Sequence, residues 1–118
     1  MVKRDFRKLA LAAAGAADDK KAVDVRVLDI RKESDVADYL VIAGAASSAQ
    51  MNAVSESVEE ELGGKGLPAL HKEGRSRGRW MVLDYGGLVV HILLTEAREF
   101  YRLENLWGNA KTLRRNSR

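Results

Sequence analysis

The chain has no cysteine among its 118 residues and only one proline. The missing cysteine excludes a disulfide framework, a thiolate metal site and a cysteine nucleophile, and such a chain suits a reducing cytoplasm. Histidine is scarce as well: His71 and His91 are the only two. Zinc needs three or four ligands brought together, and only Glu73 stands close to either histidine, so both are read as hydrogen-bonded strand residues. No apolar run approaches the roughly 20 residues of a membrane span. The alanine-rich residues 9–17 lead into Asp18-Asp19 instead of a cleavage site, so neither an anchor nor a leader is expected.

The usual marks of catalysis are thin too. Gly63-Gly64-Lys65-Gly66 lacks the interval and the preceding strand of a phosphate loop and reads as a helix stop. Asp35 and Asp38 stand three apart, whereas a paired-carboxylate metal site wants two acids on one strand face, two residues apart. Ser47 and Ser48 have no base beside them in sequence. No enzyme and no cofactor are therefore expected. A small nucleotidyl- or phosphotransferase is the rival from another class, and it would need the acid cluster that is missing.

The net charge is +3, and it divides unevenly: +3 on the first eight residues, +4 on the last eight and −4 on residues 9–110. An acidic body suits a basic protein partner, and basic ends suit a place near nucleic acid. A general RNA-binding accessory protein would instead put the basic excess on the fold. Residues 111–118 show no apolar periodicity and are read as a basic tail behind a single domain of residues 1–110.

Periodicity supplies the elements. Phe6, Leu9, Ala10 and Ala13 mark a first helix over residues 3–17, and Val23, Val25 and Val27 alternate as a strand. The apolar run Tyr39-Leu40-Val41-Ile42-Ala43 reads as a buried central strand. Ser47 and Gln50 have capping-box spacing before a helix carrying Met51, Val54, Val58 and Leu62, which Gly63-Gly64 is expected to end. A short strand over residues 67–73 follows, then strands over 79–84 and 88–94 joined at Tyr85-Gly86-Gly87. A last helix runs from Thr95 to about Trp107, with Phe100, Leu103 and Trp107 on one core stripe. The fold class is α/β (α+β): one mixed five-stranded sheet with about three helices.

Five of the seven aromatic residues lie in the last third: Trp80, Tyr85, Phe100, Tyr101 and Trp107. Aromatic and arginine side chains among apolar ones are what protein-recognition surfaces are built from. In the strand over residues 79–84, Trp80, Val82 and Asp84 share one face, and Met81, Leu83 and Tyr85 the other. The Asp ending the Trp80 face argues against deep core, although Trp80 packed under the last helix is the competing reading. The candidate partner-binding residues are Arg79, Trp80, Val82, Asp84, Tyr85, Arg98 and Tyr101.

From Asp18-Asp19-Lys20-Lys21-Ala22 through Val36-Ala37-Asp38-Tyr39-Leu40-Val41-Ile42-Ala43, Gly66-Leu67-Pro68, Arg79-Trp80 and Leu83-Asp84-Tyr85-Gly86 to residues 98–107, the chain resembles the ribosomal silencing factors (RsfS, or Iojap-like proteins). The resemblance implies a nucleotidyltransferase-like fold without its catalytic acids and a homodimer when free. It also implies a partner, the fourteenth protein of the bacterial large ribosomal subunit. Bound there, such a factor keeps the small subunit from joining and lowers translation when nutrients are scarce. The basic tails would add peripheral rRNA contact. Two departures stand out: Ala45-Ala46-Ser47 and Ala49-Gln50 replace the family's Gly-Thr-Ser and Arg-Gln, and Gly87 replaces an acid after the hairpin glycine.

Overall fold

The computed structural model describes residues 5–74, 78–101, 108 and 110–116. Along the chain run α1 (Phe6–Asp19), β1 (Val23–Asp29), β2 (Tyr39–Ala45), α2 (Ser48–Gly64), β3 (His71–Glu73), β4 (Trp80–Asp84), β5 (Leu88–Leu94), α3 (Thr95–Tyr101) and β6 (Lys111–Asn116). The strands form one sheet in the order β3-β4-β5-β2-β1-β6. Only β2 and β5 pair in parallel, at its centre; the other neighbours are antiparallel. The α+β class, the mixed sheet and the helices agree with the sequence reading.

The strand count does not. Six strands are present among the described residues, and the sixth comes from the segment read as a tail. Its residues Lys-Thr-Leu-Arg-Arg-Asn hold one apolar side chain, Leu113, which packs against the core. Pairing with β1 runs through backbone groups, which leave no hydropathy pattern. Two of the basic side chains turn back onto the fold: Arg114 pairs with Asp18 at 2.9 Å and Arg115 with Asp24 at 3.0 Å. The basic C-terminal segment thus neutralises acids of the body, and the charge split along the chain is not a split in space. Edge strands rich in basic residues also resist pairing with a stranger's edge.

Helix α1 starts at Asp5, whose carboxylate accepts from Lys8 N, the expected use of Asp at an N-cap. Its inner face is alanine: Ala10, Ala13, Ala14 and Ala17 are fully buried. Such small side chains let its backbone come close to α2, and Ser57 Oγ donates across to Ala16 O at 2.9 Å. Together the two helices cover one face of the sheet, where Val25, Val27, Val41, Met81, Leu83 and Ile92 form the main core.

Helix α2 opens with the expected cap. Ser47 Oγ accepts from Gln50 N at 3.1 Å, and Gln50 Oε1 accepts in return, from Ala46 N. The Gln50 amide also donates to Lys20 O and Lys21 O, tying the helix entrance to the α1–β1 turn. The helix stop needs correcting by two residues: Gly63 and Gly64 are helical, and Gly66, at φ +80°, takes the left-handed position. Leu67 N then donates back to Leu62 O, which closes the helix end. The first half of the strand expected over residues 67–73 is loop. The last helix is described to Tyr101; Leu103, Trp107 and the side chain of Phe100 lie outside the described residues.

Candidate partner-binding face

Strand register puts one set of side chains on the sheet face opposite α1 and α2. Glu73 pairs with Val82, Val82 with His91 and His91 with Ile42; in the next row stand His71, Asp84, Val89 and Leu40. Trp80 pairs with Leu93. Towards β2 and β1 this face is closed: Leu28, Ile30, Leu40, Ile42 and Leu93 form a second buried cluster. Towards β3 and β4 it opens. Trp80, Val82, Asp84, Val89 and His91 are half-buried, and His71, Glu73 and Arg79 are exposed.

The result is a patch with an apolar middle and a polar rim. Trp80 and Val89 pack one side against the second cluster and leave the other accessible. Trp80 is thus neither core nor free surface, and what its buried side meets among the described residues is the second cluster. Its indole Nε1–H donates to His91 Nδ1 at 2.9 Å. Burial pushes the His91 imidazole down to about 4, so the ring is neutral and its Nδ1 can accept. On the rim, His71 Nε2 and Glu73 Oε1 lie 2.9 Å apart. Asp84 accepts from Gly86 N at 2.8 Å; an Asp at the end of β4 thereby shapes the hairpin, in which Gly86 sits at φ +87°.

Of the seven residues picked from sequence, the structure brings Trp80, Val82 and Asp84 to one face of β4, with the exposed Arg79 just before the strand. Tyr85 and Arg98 lie inside the fold instead. Tyr85 is 2% exposed and sits in the main core beneath α2. Burial, with the charge of Glu59 adding, pushes its phenol up to about 12, and its Oη is buried with no hydrogen-bond partner. Alternation already put it on the core face; its aromatic character alone suggested a surface role. Arg98 is 6% exposed and reaches the β1 backbone. The side chain of Tyr101 lies outside the described residues.

Sequence reasoning passed over His71 and Glu73 as rim residues and His91 as the acceptor for Trp80. The signal was present in the alternation of three neighbouring strands, but reading it needs their register. The departure at Gly87 has a local cause: a Cβ there would come within 2.5 Å of the Phe6 ring, so the missing side chain lets α1 close over the hairpin. Among the described residues no three acids or histidines gather to hold a metal ion, and no helix is long and apolar enough to cross a membrane.

Comparison with known proteins identifies the family. A family model described as "Ribosomal silencing factor during starvation" matches residues 3–118. The ribosomal silencing factor RsfS of Bacillus subtilis is 38% identical over 98 residues, covering 83% of each chain. A mouse protein named for mitochondrial assembly of the ribosomal large subunit is 31% identical over 91 residues, 75% of this chain and 40% of the mouse one. A crystal structure of a Chromobacterium violaceum protein, 30% identical, superposes with a TM-score of 0.85 over 89% of this chain and 88% of that one. With a fold, a sequence and a family model in agreement over most of its length, the chain belongs to the ribosomal silencing factor (RsfS) family.

Proposed function

We propose that the protein binds the large ribosomal subunit through the Trp80 face and keeps the small subunit from joining, with no chemistry of its own. The observation that carries this is the half-buried Trp80, set among Val82 and Val89 and rimmed by Glu73 and Asp84. An aromatic anchor inside a polar rim is the anatomy of a protein-binding site. Glu73 and Asp84 on the rim offer carboxylates to a basic partner, and ribosomal proteins are basic as a class. The name of the mouse relative points to the large subunit, and the fourteenth protein of that subunit is the partner the family resemblance implies.

The block would be steric. The molecule measures 40 × 32 × 23 Å, so even its shortest dimension is far larger than the few ångströms over which two surfaces make direct contact. Peripheral contact with rRNA would fall to Lys32 and Lys111, which line one recess together with Asp29, Arg31 and Glu33, since Arg31, Arg114 and Arg115 engage acids of the fold. The free protein would be a homodimer in the cytoplasm.

Sedimentation with separated subunits tests the reading. The protein should travel with the large subunit and not with the small one. Preincubated with large subunits, it should also reduce the assembled-ribosome peak when small subunits are added. Co-sedimentation with neither subunit would sink the proposal.

A further inference from the structure

Trp80 and His91 are not register partners: across the β4–β5 ladder Trp80 faces Leu93, and His91 faces Val82. Their side chains bridge that diagonal. Trp80 Nε1 donates to His91 Nδ1 at 2.9 Å, with ring centroids 5.7 Å apart and planes inclined by 55°. An indole offers a single N–H donor, so an acceptor at one fixed point selects one orientation of the ring. The acceptor itself is well held. His91 lies on a strand paired on both sides, with β4 and with β2, and its neighbour across β2 is the fully buried Ile42. Trp80 stands at the first residue of β4, after Gly78 and Arg79, which lie outside any strand, and packs one side of its ring against the second cluster. Packing fixes one side of the ring, and the hydrogen bond to His91 adds a directional constraint on its partly exposed edge.

We propose that His91 is the positioning residue of the docking face, accepting the Trp80 indole N–H so that the ring meets a partner protein already oriented. This rests on the reading of the Trp80 face as the docking surface. The His91 side chain need not touch the partner; it acts through Trp80. A ring left free must be ordered on binding, which costs about 3- to 10-fold in affinity for one such side chain.

The test uses the full chain labelled with ¹⁵N, the Trp80 indole resonance being identified with the aid of Trp107→Phe. His91→Leu removes the acceptor and keeps an apolar side chain. His91→Asn keeps an acceptor oxygen near the place of Nδ1. In the free protein, His91→Leu should move the Trp80 indole N–H upfield and speed its exchange with solvent, and His91→Asn should restore both. Binding to purified large subunits, measured well below each variant's melting temperature, should weaken about 3- to 10-fold for His91→Leu and recover for His91→Asn. An indole resonance unmoved in His91→Leu overturns the inference. So does wild-type binding by His91→Leu where Trp80→Ala fails to bind, and in that case the docking reading survives. If Trp80→Ala itself binds like wild type, the docking reading falls and takes the inference with it.

Discussion

Arg98 on α3 donates through Nη1 to the backbone carbonyls of Val23 and Asp24, and its guanidinium also stands 3.5 Å from the Asp24 carboxylate. Asp24 holds φ +44°, a conformation unusual for a non-glycine residue, at the point where the β1–β2 register breaks. The same carboxylate takes Arg26 from its own strand and Arg115 from β6. Burial raises the Asp24 carboxyl, but hydrogen bonds from Arg115 and Arg26 and the charge of Arg98 outweigh it and hold it below the usual carboxylate range. One irregular residue therefore ties α3, β1 and β6 together. Arg98→Ala should cost about 3 kcal/mol, since it strips a buried ionic and backbone anchor. Chemical denaturation checks this; a loss under about 1 kcal/mol would show that the tie is idle.

Trp80→Glu should abolish association with the large subunit. Truncating an anchor of this type costs about 2–4 kcal/mol, on the order of 30- to 1000-fold in affinity, and a buried unpaired charge adds to that. Because Trp80 also packs against the second cluster, a fall of a few degrees in melting temperature is expected alongside. The measurement is pulldown with large subunits beside thermal unfolding. A folded Trp80→Glu protein that still binds would move the docking face elsewhere.

Stability should fall as pH drops from about 6.5 to about 4. His91 binds a proton in the unfolded chain near its ordinary value of 6.5, but in the fold only near 4. Its contribution is thus complete above the unfolded value and lost as pH falls towards the folded one. The size is about 3 kcal/mol. Charged groups that share its face or stand nearby are His71 and Glu73 on β3, Asp84 on β4 and Arg26 on β1. His91→Asn should flatten this part of the curve; an unchanged slope in that variant would assign the effect to those neighbours.

Tyr85→Phe should stabilise the protein. The phenol oxygen is buried without a hydrogen-bond partner, and removing such a group recovers about 1 kcal/mol. For a domain of this size that raises the melting temperature by roughly 3–6 °C. Large-subunit binding should be unchanged, because the ring touches the core and not the docking face. A lower melting temperature would mean that the hydroxyl has a partner after all.

Deleting residues 111–118 should destabilise the protein severely, the opposite of what a solvated tail would do. The deletion uncovers the β1 edge, removes Leu113 from the core and breaks the pairs with Asp18 and Asp24. Arg114→Ala with Arg115→Ala should reproduce part of the loss while leaving the backbone pairing in place. A truncated protein that melts with the full chain would show β6 to be dispensable.

The local pattern alone carried much of this. The alanine stripe of α1, the Ser47 cap, the apolar run of β2 and the alternation in β4 are short-range signals, since each reports the environment of side chains on one element. They were enough to separate Met81 and Leu83 from Trp80 and Val82, and with the family resemblance they pointed to binding instead of catalysis. What needed the tertiary structure was everything that joins distant segments. β6 pairs through backbone groups that leave no mark in hydropathy. Tyr85 and Arg98 resemble surface anchors by type, and only packing shows one under α2 and the other gripping β1. The bond from Trp80 to His91 depends on how β4 registers against β5, and the rim of His71 and Glu73 on how β3 registers against β4. Register is a relation between strands, so no single stretch of sequence contains it.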